Sequence, residues 1–368
     1  MMTSEQQTGC SMMARKKRGV VFKAAVVLGV VVALVGVAAA GYVIRNLNYA
    51  RWDAAKMARA GYEEHQVQVN GSVVNYAEGP DNGPPLMLIH GQGVDWQNWN
   101  RVLPELAENF HVFAVDCYGH GKSAHVPEKY TARAIAADLE RFLADVVGEP
   151  AFVAGHSSGG LIASVMAAEK PDLVRGVVLE DPPFFSSVLP RAQKTFNYVD
   201  LSTTAHEFLL SGETDFIDYY LRNSRMWSLF QGAEERVRSS ALNTYRKNPD
   251  QPLRIFYLPP SLNEMFRSMG NYDPRFGDTF YTNRFHEGFD HAETLERISV
   301  PAVLIHTNWS YSEDGVLLAA MSGEDAQRAR SLIKDVSFHK VDSGHGFHFE
   351  KPDEFIDIVT QFLDRVQR

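Results

Sequence analysis

The chain has 368 residues, 45% of them hydrophobic and 22% charged, a globular composition with room for one large core or two modest ones. Its formal net charge of -9 excludes nucleic acid as the partner, because phosphate binding needs concentrated lysine and arginine. Only Cys10 and Cys117 are present, on opposite sides of a long apolar segment and without CxxC or Cys/His spacing, so neither a disulfide nor a zinc site is expected.

Residues 1–23 form a basic N-terminus in which Arg15, Lys16, Lys17 and Arg18 precede a charge-free run from Ala24 to Ile44. As a helix rising about 1.5 Å per residue, that run is roughly 30 Å long, the thickness of one bilayer core. It has no polar face, and residues 24–44 read as a single transmembrane helix. A cleaved signal peptide is the alternative, since Ala38, Ala39 and Ala40 are the small residues such a site needs, but its apolar core usually spans only ~7–15 residues. Arg45, Arg51, Lys56 and Arg59 follow the run, yet the tighter cluster is N-terminal. The expected topology has a cytoplasmic N-terminus and an extracytoplasmic body, or a secreted body if the segment is cleaved.

Residues 45–61 read as a linker, followed by a first core part over 62–181. HQVQVNGSVVNYAEG alternates with period two around Asn70-Gly71, the dipeptide of a tight antiparallel hairpin. The apolar runs PPLMLIHG, FHVFAVDCYG, PAFVAGHS, VRGVVLED, PAVLIHT and VSFHKVDSGH predict strands, and helical patterns run from Thr131 to Val147 and from Pro352 onward. Strands alternating with helices predict an α/β fold, a mostly parallel sheet covered on both faces. The alternation breaks over 182–297, where the pattern is helical and about half of the chain's aromatic residues collect. Most of these rings serve the insertion's own core, and the remainder are candidates to line an apolar cavity under a lid. A second core part over 298–368 completes the chain.

The segment AFVAGHSSGGLIASVMA joins a predicted strand directly to a predicted helix through Gly155-His156-Ser157-Ser158-Gly159. This matches G-x-S-x-G, in which a strained turn exposes the middle serine and the glycines avoid conflict with neighbouring backbone. Ser157 is the candidate nucleophile, and Ser158 offers its backbone N–H to a developing oxyanion. A serine hydroxyl needs a base. His345, between the last predicted strand and the final helix, falls on the same sheet edge, whereas His348 reads as a packing residue and His306 and His339 as structural ones. Gly121-Lys122-Ser123 has the tail of a phosphate-binding loop, but Asp116 stands where its first glycine belongs, which removes nucleotide binding.

Together these residues resemble the α/β-hydrolase family. His90-Gly91-Gln92-Gly93 followed by Trp99, the run from Asp116 to Ser123, the elbow at Ser157 and Gly344-His345 occur in that family's order, from about Val67 to the C-terminus. The resemblance implies that the insertion is a cap and that the Gln92 N–H joins that of Ser158 in an oxyanion hole. It also implies acyl transfer, because relatives that open epoxides or remove halides carry an aspartate at the elbow. The acid departs from the pattern: no aspartate directly follows PAVLIHT, and Ser310 stands near its place. Asp314 is the first choice for the acid, with Glu180 or Asp181 at the end of the preceding strand, and Glu313, as alternatives. The expected protein is a membrane-anchored serine hydrolase of a carboxylic ester or lactone with an apolar portion, needing no metal or organic cofactor. A cofactorless C–C bond hydrolase or thioesterase shares the same residues, and a non-catalytic binding protein on the same fold is the rival from another class.

Overall fold

The computed structural model describes the backbone of residues 4–367 and the side chains of residues 22–367. The side chains of Cys10 and of the basic cluster Arg15 to Arg18 lie outside the described residues. One helix runs from Ser4 to Arg59, and its side chains from residue 22 to residue 41 are exposed.

The stretch 45–61, expected as a linker, is helical as far as Arg59. No glycine or proline interrupts the chain between Tyr42 and Arg59. Asn46, Tyr49, Asp53 and Met57 are buried at helical spacing, so one face of this extension is docked on the body. Tyr49 meets Phe349 edge-on at 6.2 Å between ring centroids, and Asp53 pairs with Arg101 at 3.4 Å. The apolar run therefore passes into the body without a hinge.

Eight strands form one sheet: β1 (Glu63–Val69), β2 (Ser72–Glu78), β3 (Pro85–Ile89), β4 (His111–Val115), β5 (Ala151–His156), β6 (Val174–Glu180), β7 (Ala302–His306) and β8 (Val336–Lys340). Their spatial order is β1-β2-β4-β3-β5-β6-β7-β8. β1 and β2 pair antiparallel, as do β2 and β4, and every other pairing is parallel. The central β3, β5 and β7 are buried along their whole length, as expected for uninterrupted apolar runs covered on both faces.

One face packs against helices Ala132–Phe142 and Ser158–Glu169 through residues such as Leu139, Phe142 and Ile162. The pattern from Thr131 to Val147 is helical throughout, although its last turn, Leu143–Val147, widens into a π-turn that closes at Gly148. The other face is covered by the terminal helix Pro352–Gln367, where Phe355, Val359 and Phe362 recur at helical spacing. Burying each such side chain contributes about 1.5–3 kcal/mol. Between β6 and β7 the chain leaves the sheet and forms a layer of short helices over its carboxyl edge. Tyr220, Trp227 and Phe266 are buried there as the insertion's own core.

The hairpin joining β1 and β2 turns on Asn70 at φ 46° and Gly71 at φ 77°, the two positive values of a type I′ turn. A Cβ on Gly71 would meet nothing within 4 Å, so only backbone strain opposes substitution. Gly71→Ala should lower unfolding free energy by about 1–2 kcal/mol without changing the fold, read from the urea midpoint and an unaltered circular dichroism spectrum.

Candidate active site

β5 ends at His156, and the chain turns at Ser157 with φ 55° and ψ -121° before helix Ser158–Glu169 begins. A non-glycine residue in this region is strained, and three packed segments hold it here. Ser157 donates its N–H to the Glu180 carbonyl at 2.9 Å. A Cβ on Gly155 would lie 2.2 Å from the Gly159 carbonyl oxygen, and one on Gly159 would lie 2.2 Å from that of Ile89. Only glycine at both positions lets strand and helix approach this closely.

His345 lies in the loop after β8, with its side chain 43% exposed, and its Nδ1 donates to Asp181 Oδ2 at 2.7 Å. That bond sets the tautomer: Nε2 is left as the proton acceptor. Asp181 follows β6 and is fully buried. It also accepts from Thr307 Oγ1 at 2.6 Å and, more distantly, from the Thr307 N–H at 3.3 Å and His306 Nδ1 at 3.4 Å. Burial alone would raise its pKa, but the bonds from His306, His345 and Thr307 outweigh it and hold the carboxyl well below the usual range. For His345 enclosure favours the neutral ring, while the bond and charge of Asp181 favour the cation, and the net pKa is raised.

Ser157, Ser158, Gln92 and His345 line one cavity of about 430 Å³, within the size range of small-molecule sites. Its upper wall comes from the insertion, where Leu201, Leu229, Met265 and Phe280 present apolar surface. Among the described residues the backbone N–H groups of Gln92 and Ser158 have no acceptor. Ser158 opens its helix, where N–H groups lack intrahelical partners.

The loop bearing Gln92 is held from two sides. Asp116 accepts from the Trp96 N–H at 2.8 Å and the Lys122 N–H at 3.0 Å, so the Gly121-Lys122-Ser123 turn is structural. Arg267, on the insertion helix Pro260–Ser268, pairs with buried Asp95 at 2.6 Å, and Ser268 Oγ donates to the Gly93 carbonyl at 2.9 Å. Burial would raise the Asp95 pKa, and the Arg267 charge lowers it further than that.

Asp314, the first choice for the acid, is exposed and bonds Ser312 Oγ at 2.5 Å; Glu313 beside it is exposed as well. This loop turns outward because Ser312 and Val316 pair with each other, Ser312 N–H to Val316 carbonyl at 2.9 Å. His345 meets Asp181 instead, and Glu180 belongs to another histidine: His348 Nδ1 lies 2.8 Å from it. His348 Nε2 bonds Asn98 Oδ1 at 2.9 Å, with Trp99 packed 4.0 Å away.

Thr307 was not singled out from the sequence, and His306, read there as a structural strand residue, also reaches Asp181; both stand at the end of the predicted strand PAVLIHT, level with the end of β6. No role was read for His156, whose Nε2 donates to the His345 carbonyl at 3.0 Å and fixes the loop. His156, Glu180 and His348 place ligand-type atoms within 4.8 Å of one another. Their bonds to His345, Asn98 and each other already occupy most of those atoms.

A family model described as the alpha/beta hydrolase family matches residues 86–358, and the chain belongs to that family. Relatives include the bifunctional epoxide hydrolase 2 of Sus scrofa, 35% identical over 308 residues, covering 77% of this chain and 52% of that protein. The soluble epoxide hydrolase of Corynebacterium sp. (strain C12) is 33% identical over 117 residues, 32% of this chain and 41% of that protein. The chain thus spans under two thirds of the length of these curated relatives. Among solved structures, one titled as a membrane phospholipase A and bacterial virulence factor aligns with TM-score 0.61 and 25% identity, covering 93% of this chain and 98% of that one.

If Asp181 sets the state of His345, Asp181→Asn removes the charge that favours the imidazolium and must lower the His345 pKa. Asp314→Asn should leave it unchanged. NMR titration of the His345 ring in both variants reads this directly.

Proposed function

We propose that the protein is a membrane-anchored serine hydrolase of carboxylic esters with a substantial apolar portion. The observation that carries this reading is the 2.7 Å bond from His345 Nδ1 to buried Asp181, which leaves Nε2 free on the cavity shared with Ser157 and two unpaired N–H groups. Ser157 Oγ attacks the acyl carbon while His345 Nε2 takes its proton. The carbonyl oxygen becomes an oxyanion and accepts from the N–H groups of Gln92 and Ser158. The intermediate collapses as His345 returns the proton to the departing alkoxide, giving an alcohol and an acyl-enzyme. Water then attacks the acyl carbon, losing its proton to His345, and the acid leaves as Ser157 regains its hydrogen. Asp181 keeps its negative charge throughout and stabilises the transient imidazolium.

The insertion acts as a cap, and its apolar wall favours a long or bulky chain. The likeness to a structure titled as a membrane phospholipase supports an ester of lipid type. Thioester or C–C bond cleavage would use the same residues, and a graded substrate panel separates these from ester cleavage. Epoxide opening is disfavoured because Ser157 stands at the elbow. The helix through residues 24–44 is the anchor, with the catalytic body on the extracytoplasmic side.

A fluorophosphonate should label the wild type and leave Ser157→Ala unlabelled; a protein that only binds ligand would label in neither. Because His345 works in its neutral form and its pKa is raised, kcat/KM should climb with pH through a value above the usual ~6.5. In Asp181→Asn that limb should move to lower pH while kcat/KM falls about 10³- to 10⁴-fold. A rate independent of pH between 5 and 9 would remove His345 from the role.

A further inference from the structure

The docked part of the long helix begins where its apolar run ends, and what it touches first belongs to the insertion. Tyr42, inside the run, donates its hydroxyl to the Tyr257 carbonyl at 3.2 Å. Asn46 Nδ2 donates to the Phe256 carbonyl at 3.0 Å, and Arg254 reaches back to the Leu47 carbonyl at 3.0 Å. Upstream, residues 22–41 are exposed and, at about 1.5 Å each, extend roughly 30 Å, one bilayer core. No spacer separates that length from the first contact.

We infer that the insertion segment Leu253–Leu258, led by Phe256, is a second membrane contact that sits in the lipid headgroup layer beside the helix. The inference rests on the helix crossing a bilayer, as proposed above. Asn46 lies two residues past Ile44, about 3 Å along the axis, while the headgroup layer on each side is roughly 5–7 Å deep. Whatever bonds Asn46 therefore shares that layer. The chemistry agrees: Phe256 is 50% exposed, Ile44 on the neighbouring helix is 53% exposed, and Arg254 and Tyr257 flank the ring. Aromatic rings with adjoining cations are the side chains that favour a membrane interface. Helix Pro260–Ser268 follows immediately and carries Met265 into the cavity wall, so the same segment connects the lipid surface to the site.

The test uses the full chain in phosphatidylcholine and phosphatidylglycerol vesicles, with Cys10→Ser as background; Cys117 is buried. Phe256→Cys and Ile44→Cys each receive a nitroxide, and collision with oxygen is compared with collision with a water-soluble nickel complex. We expect both labels to be shielded from nickel at least about fivefold relative to free label, with oxygen access retained. A shielded Ile44 label with a water-like Phe256 label overturns the inference and leaves the anchor standing. Two water-like labels overturn both. Dipolar broadening between Phe256 labels that vanishes on dilution with unlabelled chain gives the patch to a second copy, and overturns it too. Phe256→Glu should also slow hydrolysis of a long-chain ester dispersed in vesicles about tenfold while sparing a short soluble ester; equal loss on both counts against it.

Discussion

A carboxylate buried at the end of β6 holds the site together. Asp181 has no access to water, and an unpaired charge there would cost several kcal/mol. It is compensated by groups from two other places: Thr307 and His306 at the end of β7, and His345 from the loop after β8. The carboxyl ends of three adjacent strands are thereby drawn to one point. The ring of His345 is held by satisfying that charge, while His156 holds the backbone of its loop through the His345 carbonyl.

The neighbouring carboxylate obeys the same rule with a different partner. Glu180 points to the opposite face of β6, as side chains alternate along a strand, and there it accepts from both the N–H and the ring of His348. Two adjacent acids thus serve two histidines three residues apart in sequence. His348, locked between Glu180, Asn98 and Trp99, lies in the first turn of the helix Phe347–Glu350 and so fixes where the His345 loop must end.

The sheet was legible because its central strands are apolar runs ending at turn residues while the β1–β2 hairpin alternates with period two, and Asn70-Gly71 and Gly155 to Gly159 mark their turns by chemistry that few other residues satisfy. That Ser157 and His345 share a sheet edge was legible from their places after strands, and both line the one cavity. Which carboxylate meets His345 was not settled there, Asp181 standing only as an alternative to Asp314, because both follow strands that end on the same sheet edge and the outcome depends on how the loop after β7 folds. That loop is directed by Ser312 pairing with Val316, a contact with no pattern in the sequence. The extension to Arg59 was missed because charges scattered through residues 45–59 resemble a solvated linker; its docked face emerges only when Asn46, Tyr49, Asp53 and Met57 are counted at helical spacing.

The ion pair between Arg267 and Asp95 bears on how freely such a protein can be rebuilt. A helical layer inserted between two strands looks like an exchangeable module. Here, a foreign layer without a cation at that point would strand Asp95 as a lone buried anion, at a cost of about 3–5 kcal/mol. Swapping the layer to change selectivity would therefore disturb the loop that carries Gln92, and the two have to be redesigned as one unit.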